Sequence, residues 1–148
     1  MKENICTATI YDVIAITDMA KILWPTSDYE GLRMEFADII SSDKEDVLLY
    51  LDNDKCVAFM HIALRNDYVE GSSGSPTGYI EGVFVKPEFR GQGIAKALLK
   101  KGEAWCKALG CNQLASDVDI HNDTSIDFHK SIGFSEVNRI VCFIKELP

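Results

Sequence analysis

The sequence predicts an α/β domain, a mixed sheet covered by helices on both faces. Two apolar runs, Val47–Leu51 and Cys56–Leu64, flank the polar turn Asp52-Asn53-Asp54-Lys55, the pattern of an antiparallel hairpin. A later strand, a long helix and another strand follow one another, the order that sets two strands parallel. Helical periodicity before the hairpin supplies cover for the sheet.

Each element has its own signal. Ile14, Ala15, Met19, Ile22 and Leu23 recur at helical spacing, and a second amphipathic helix is expected from about Ser27 to Ile40. After the hairpin, Gly71-Ser72-Ser73-Gly74-Ser75-Pro76-Thr77-Gly78 reads as a loop within the domain. Tyr79–Val85 reads as an apolar strand broken by one acid, Glu81, and Pro87 ends it for want of an amide donor. The next helix runs to about Leu109, with Ile94, Leu98, Trp105 and Leu109 sharing a face with Gly102 and Gly110 at its C-terminal end. Gln113–Asp117 reads as a strand, Asn122–Ser131 as a helix stopped by Gly133, and Ile140–Ile144 as a closing apolar strand.

Bulk properties bound the function. At 148 residues the chain is the size of one domain, 1–148. No run approaches the ~18 apolar residues of a membrane span, and Met1-Lys2-Glu3-Asn4 has no secretory h-region, so a cytoplasmic protein is expected. The net charge of −8, without a basic tract, excludes nucleic acid as the expected partner and suits a cationic small molecule. The five cysteines are odd in number and lack a CxxC pair; they read as buried thiols, with neither a metal nor a catalytic cysteine expected.

The chemistry concentrates between strand and helix. Glu88-Phe89-Arg90-Gly91-Gln92-Gly93 must turn the chain into a helix whose first amides have no partners. Bare glycines and a small Ala95 let an anion approach those amides, where the helix dipole favours it by ~0.3–1 kcal/mol. A phosphate fits.

Arg90-Gly91-Gln92-Gly93-Ile94-Ala95, following Val83-Phe84-Val85, resembles the pyrophosphate loop of the GCN5-related N-acetyltransferases (GNAT). Asn122–Phe134 is similar to a second segment of that family, with Ser125 in place of its usual alanine and His129 in place of a tyrosine. The resemblance implies the GNAT fold, a mostly antiparallel sheet with one splayed parallel pair, and acetyl-coenzyme A as cosubstrate. It implies main-chain contacts from Phe84 and Val85 to pantetheine and a pyrophosphate held by the amides of Gly91, Gln92, Gly93, Ile94, Ala95 and Lys96. Arg90 and Lys96 would offset phosphate charge, Lys96 being otherwise a solvated helix residue. Asn122 would contact pantetheine near the thioester. His129 would protonate the departing thiolate or merely pack beside it.

Trp24, the stretch Asp67–Val85 and Ala115–Asp119 resemble the bacterial aminoglycoside 6′-N-acetyltransferases. That resemblance implies an acceptor site lined by Trp24, Tyr68, Glu81 and Asp117, with Trp24 and Tyr68 stacking on sugar rings; the aromatics alone read equally well as core anchors. Glu81, placed by simple alternation on one face with Tyr79, Val83 and Val85, needs a partner or a cavity. Either a structural salt bridge or an active-site carboxylate explains it. Asp117 lies at the carboxyl end of the neighbouring parallel strand, where ligands of open α/β sheets gather. The expectation is that Glu81 accepts the amine's proton, Asp117 holds other ammonium groups, and the amine attacks the thioester directly. Other acceptors (a polyamine, a metabolite, a protein N-terminus) and a non-catalytic binding domain are the rivals. Family members pair through their sheets, which implies a homodimer joined by the C-terminal strand.

Overall fold

The structure, a computed structural model, describes residues 4–148; the first three residues, read above as lacking a secretory signal, lie outside it. A single 3-10 turn at Ile10–Asp12 leads into α1 (Val13–Leu23), and Thr9 and Asp12 close a capping box around it. α2 (Tyr29–Ser41) starts at Asp28, whose carboxylate accepts from the Gly31 amide at 2.8 Å. β1 (Ile5–Thr7) was not legible in the sequence, being only three residues long.

β2 (Glu45–Asp52) and β3 (Lys55–Arg65) form the expected hairpin. Its two turn residues, Asn53 and Asp54, take φ of 49° and 64°, a left-handed pair matched to the twist of the strands. β4 (Thr77–Val85) returns antiparallel to β3, and β5 (Leu114–Ser116) lies parallel to β4. The sheet order is β1-β2-β3-β4-β5, mixed and mostly antiparallel, as the sequence implied.

Two cores sandwich it. On one face α1 and α2 bury Ile16, Met19 and Phe36 against Leu49, Phe59 and Phe84. On the other, α3 (Ile94–Ala108) packs Ile94, Leu98 and Leu99 on Leu48, Ala58, Met60 and Ile80. Phe36 and Phe59 meet edge to face at 5.8 Å, both fully buried, so truncating either to alanine should cost ~3–5 kcal/mol. The buried stripe of α3 runs Ile94, Leu98, Leu99, Gly102, Cys106, whereas Leu109 is exposed, since the helix ends beyond the sheet.

α4 (Asp123–Ser131) is followed by chain without regular secondary structure. The strand expected at Ile140–Ile144 does not form among the described residues: Phe143 and Ile144 are 92% and 94% exposed. Among the described residues it pairs with no strand of the sheet. The cysteine reading needs a similar correction. All five are free, but only Cys106 and Cys111 are buried, and Cys6 and Cys142 are exposed.

Candidate active site

The site begins where β4 loses one neighbour. β5 stays beside β4 for three pairs, Gly78–Leu114, Tyr79–Ala115 and Ile80–Ser116, and beyond these the strands separate. β3 goes on pairing with β4 as far as Val85. The Lys86 amide donates to the Val57 carbonyl of β3 at 2.9 Å, which fixes the parity of the strand. The main-chain groups of Phe84 therefore also face β3, and those of Val83 and Val85 face the gap. Of the two residues expected to meet pantetheine, Val85 turns its main chain to the gap, as does Val83, whereas the main chain of Phe84 is turned to β3 and its ring is buried.

Past Val85 the chain forms a 3-10 turn, Pro87–Phe89, and enters α3 through Gly91 and Gly93 at φ of +78° and +80°. An ordinary residue pays about 1–2 kcal/mol for that conformation. A Cβ at either position would meet nothing within 4 Å, so the turn is open. Among the described residues the amides of Gly91, Gln92, Gly93, Ile94, Ala95 and Lys96 donate no hydrogen bond; the first that does is Ala97, to the Gly93 carbonyl at 3.0 Å. Six consecutive donors thus surround the positive end of the helix dipole. Ile94 anchors this end in the core, while Gln92 and Lys96 are exposed. Arg90 donates from Nε to the Val85 carbonyl at 2.8 Å and lies over the Phe84 ring, pinning the turn to the strand end.

Glu81 is the second landmark. Ile80 pairs with Ile62 and Gly82 with His61, which leaves Glu81 unopposed, a β-bulge. The extra residue reverses the alternation. Ile80, Val83 and Val85 all pack on the α3 side, whereas Glu81 lines a cleft of ≈ 260 Å³ on the α1–α2 side with Trp24, Glu35, Phe36 and His61. Simple alternation had put Glu81 on the face of Val83 and Val85; the bulge turns it to the opposite one. Trp24, the C-cap of α1, reaches the same cleft over Gly82, where any Cβ would come within 2.7 Å of the indole.

Glu81 has a partner that no sequence pattern announced. Arg65 donates to both its oxygens, Nε to Oε1 at 2.9 Å and a terminal nitrogen to Oε2 at 2.8 Å. The same guanidinium stacks 3.4 Å from the Tyr79 ring centroid, and the Tyr79 hydroxyl donates to Asp117. Glu81 and Asp117 are therefore joined through Arg65 and Tyr79. The hydrogen bond to Glu81 raises Arg65, and burial, followed by the hydrogen bond to Asp117, pushes the Tyr79 phenol up. Tyr68 is 80% exposed, donates to Glu70 and lines a neighbouring cleft with Arg65 and Lys44, outside the Glu81 cleft.

α4 brings the remaining candidates. Asn122 is its N-cap, with Oδ1 accepting from the Ser125 amide at 3.1 Å. His129 bonds through Nδ1 to the Ser125 carbonyl at 2.7 Å and through Nε2 to the Ser116 hydroxyl at 2.9 Å. Arg65, Tyr79, Glu35, His61 and Ser116 were missed in the sequence. Only Arg65 left a trace, a cation directly after the apolar run Cys56–Leu64. Burial pushes the Cys56 thiol up to about 11 and Cys106 up to about 12, so neither supplies a thiolate near neutrality. Among the described residues no three His, Cys, Asp or Glu gather as a metal site, and no helix is long and apolar enough to cross a membrane.

Three comparisons bear on this geometry. The family model described as "Acetyltransferase (GNAT) family" matches residues 14–134. An aminoglycoside N(6′)-acetyltransferase type 1 of Serratia marcescens is 38% identical over 126 residues, 84% of this chain and 86% of that protein; one of Acinetobacter baumannii is 35% identical over 128 residues, 85% and 86%. The solved structure of AAC(6′)-Iy in complex with the bisubstrate analogue CoA-S-monomethyl-acetylneamine superposes with a TM-score of 0.92 at 28% identity, covering 97% of each chain.

Proposed function

The chain belongs to the acetyltransferase (GNAT) family, and from that premise we propose that it acts as one domain in the cytoplasm to move the acetyl group of acetyl-coenzyme A onto the 6′-amine of aminoglycosides. The observation that carries this reading is the row of unpaired amides from Gly91 to Lys96, set at the end of a strand whose other edge lies open. A diphosphate suits that row, since each N–H to a charged oxygen contributes ~1.5–3 kcal/mol. Arg90 and Lys96 add positive charge nearby. From there the pantetheine arm follows Val85 and Val83 into the gap and delivers the thioester beside Glu81.

The acceptor enters from the α1–α2 side. Trp24 provides a flat apolar wall, and Glu35 and Glu81 present two carboxylates to a multiply charged amine. Asp117 receives ammonium groups farther along the substrate. An aliphatic amine of pKa ~10.4 is almost wholly protonated at pH 7, and only its neutral form attacks a carbonyl. Glu81, directly or through one water, takes that proton; the nitrogen then attacks the thioester in a ternary complex. Glu81→Gln should cut kcat/KM about 100-fold while coenzyme A affinity holds. Unchanged turnover would remove Glu81 from the mechanism.

The deciding experiment is release of coenzyme A with kanamycin as acceptor, followed by location of the acetyl group in the product. Acetylation at N6′ supports the reading. No release with any aminoglycoside, or release with polyamines alone, overturns it. Trp24→Ala adds a check, because only a multi-ring acceptor needs that wall.

The chain is also proposed to pair as a homodimer through its C-terminal arm. Ile140, Val141, Phe143, Ile144 and Leu147 are all exposed, and among the described residues β5 has no outer neighbour. An unpaired edge and an unpaired apolar arm complement each other across two copies. Light scattering of the full chain and of a chain ending at Phe134 tests it: the first should be dimeric, the second monomeric.

A further inference from the structure

Ser116 is the last residue of β5 paired with β4 before the strands part, so its side chain stands at the apex of the gap. Glu81, the first residue of β4 beyond the final pair, stands on the other side of that apex. The reacting carbonyl, delivered along the edge of β4, therefore has a carboxylate on one flank and a hydroxyl on the other.

The hydroxyl is not idle. A carbonyl can only accept, so the 2.7 Å contact between His129 Nδ1 and the Ser125 carbonyl places a proton on Nδ1. In the neutral ring Nε2 must then accept from the Ser116 hydroxyl, 2.9 Å away; in the imidazolium Nε2 donates to it. The second state frees the serine proton to point elsewhere. Phe128 and Phe134 hold the ring at 6.0 Å and 5.2 Å, and i to i+4 spacing on α4 sets the Nδ1 bond. His129 is thus fixed in tautomer and in orientation, with its free nitrogen aimed at one hydroxyl on the neighbouring strand.

We propose that Ser116 and His129 form a two-proton relay that protonates the departing sulfur, Ser116 as the catalytic residue that meets it and His129 as the positioning and proton-supplying residue behind. The inference rests on the acetyl-transfer reading above. As the C–S bond breaks, its electron pair goes to sulfur, the Ser116 proton moves to that sulfur, and the His129 Nε2 proton moves to the Ser116 oxygen. His129 is left neutral and regains a proton from solvent. The amine nitrogen loses two protons, the ammonium proton to Glu81 before attack and a second as the amide forms, and both pass to solvent; with one taken up through His129, each turnover releases one proton net.

The test compares wild type, Ser116→Ala, His129→Gln, the double variant and Ser116→Thr, with acetyl-coenzyme A and kanamycin. Both single variants should lose kcat by about 100-fold with the KM for acetyl-coenzyme A unchanged. The double variant should be no worse than either single one, because the two groups act as a unit. Ser116→Thr, which keeps the hydroxyl, should recover to within about threefold of wild type. Melting temperatures and coenzyme A binding establish that each variant is folded. Independent, multiplying losses in the double variant would overturn the relay, as would undiminished kcat in Ser116→Ala. Wild-type enzyme incubated with acetyl-coenzyme A alone should carry no acetyl group on the Ser116 peptide; an adduct there would make Ser116 a nucleophile and overturn its role as an acid. Wild type that releases no coenzyme A sinks the acetyl-transfer reading, whereas wild-type turnover that persists in Ser116→Ala sinks the relay alone.

Discussion

Replacing Gly93 by alanine separates what the turn costs from what the turn binds. Gly93 sits at φ +80° with nothing within 4 Å of a built Cβ, so Gly93→Ala brings conformational strain and no clash. That strain is about 1–2 kcal/mol, which for a chain of this length lowers the melting temperature by roughly 2–8 °C. Gly110 is a matched control: φ +87°, nothing within 4 Å, and a position at the opposite end of α3. Gly110→Ala should cost the same stability. The two variants part company on the ligand. The empty space over Gly93 is where a phosphate oxygen would approach the free amides, and a methyl there removes one or two charge-assisted hydrogen bonds, ~1.5–3 kcal/mol each. Coenzyme A should bind Gly93→Ala at least 10-fold more weakly and Gly110→Ala as it binds wild type. Titration calorimetry with coenzyme A, alongside thermal melts, reads both quantities. Equal affinities in the two variants, with equal losses of stability, would refute the assignment of this turn as the diphosphate cradle.

Other expectations follow from the same geometry. Arg65→Gln should tighten aminoglycoside binding several-fold at low salt while lowering kcat at pH 7, as measured by calorimetry and by coenzyme A release; weaker binding would show that Arg65 is itself a substrate contact. With a chain charge of −8, aminoglycoside affinity should fall steeply with ionic strength, and a flat profile would contradict the electrostatic account. Burial raises Cys56 from the ordinary 9.0 to about 11 and Cys106 to about 12, so above pH 9 the unfolded chain sheds protons that the folded chain keeps. Stability is then fully present below pH 9 and is lost as pH rises toward 11. Melts from pH 8 to 11 on wild type and on a Cys56→Ala, Cys106→Ala double variant test this, the double variant showing the shallower fall.

The elements legible in the sequence are those decided by local chemistry. The β2–β3 hairpin could be read because Asn53-Asp54 tolerates left-handed backbone, and α3 because Ile94, Leu98 and Gly102 repeat along one face. The open turn proposed to hold the diphosphate could be read for the same reason, being one contiguous segment. What stayed hidden depends on register between distant residues. Arg65 reaches Glu81 across 16 residues only because β3 and β4 pair as they do and a bulge lifts Glu81 out of alternation. Counting alternate residues put Glu81 on the wrong face, and the family resemblance gave a pantetheine contact to Phe84, whose main chain the register turns to β3. The C-terminal run Ile140–Ile144 is as apolar as any strand in the chain, but a strand is made by its partner, and none lies beside it here.

The Arg65–Glu81 pair also bears on a difficulty inherent in acetylating a cation. A pocket of carboxylates attracts an ammonium group but stabilises its charged form, and so works against the deprotonation that attack requires. A fixed guanidinium beside the base changes that balance. Arg65 occupies one side of Glu81 through two hydrogen bonds, the face of its guanidinium stacked on Tyr79 and through it linked to Asp117, so it cannot be displaced without breaking both contacts. An incoming amine meets Glu81 already neutralised, with a like charge close by, and both effects favour its neutral form. Among the described residues neither Glu35 nor Asp117 forms an ion pair with a cation, and on the proposed mechanism these two carry the attraction for the other ammonium groups. On the proposed mechanism binding and deprotonation fall to different carboxylates, so removing Arg65 should strengthen the first and weaken the second.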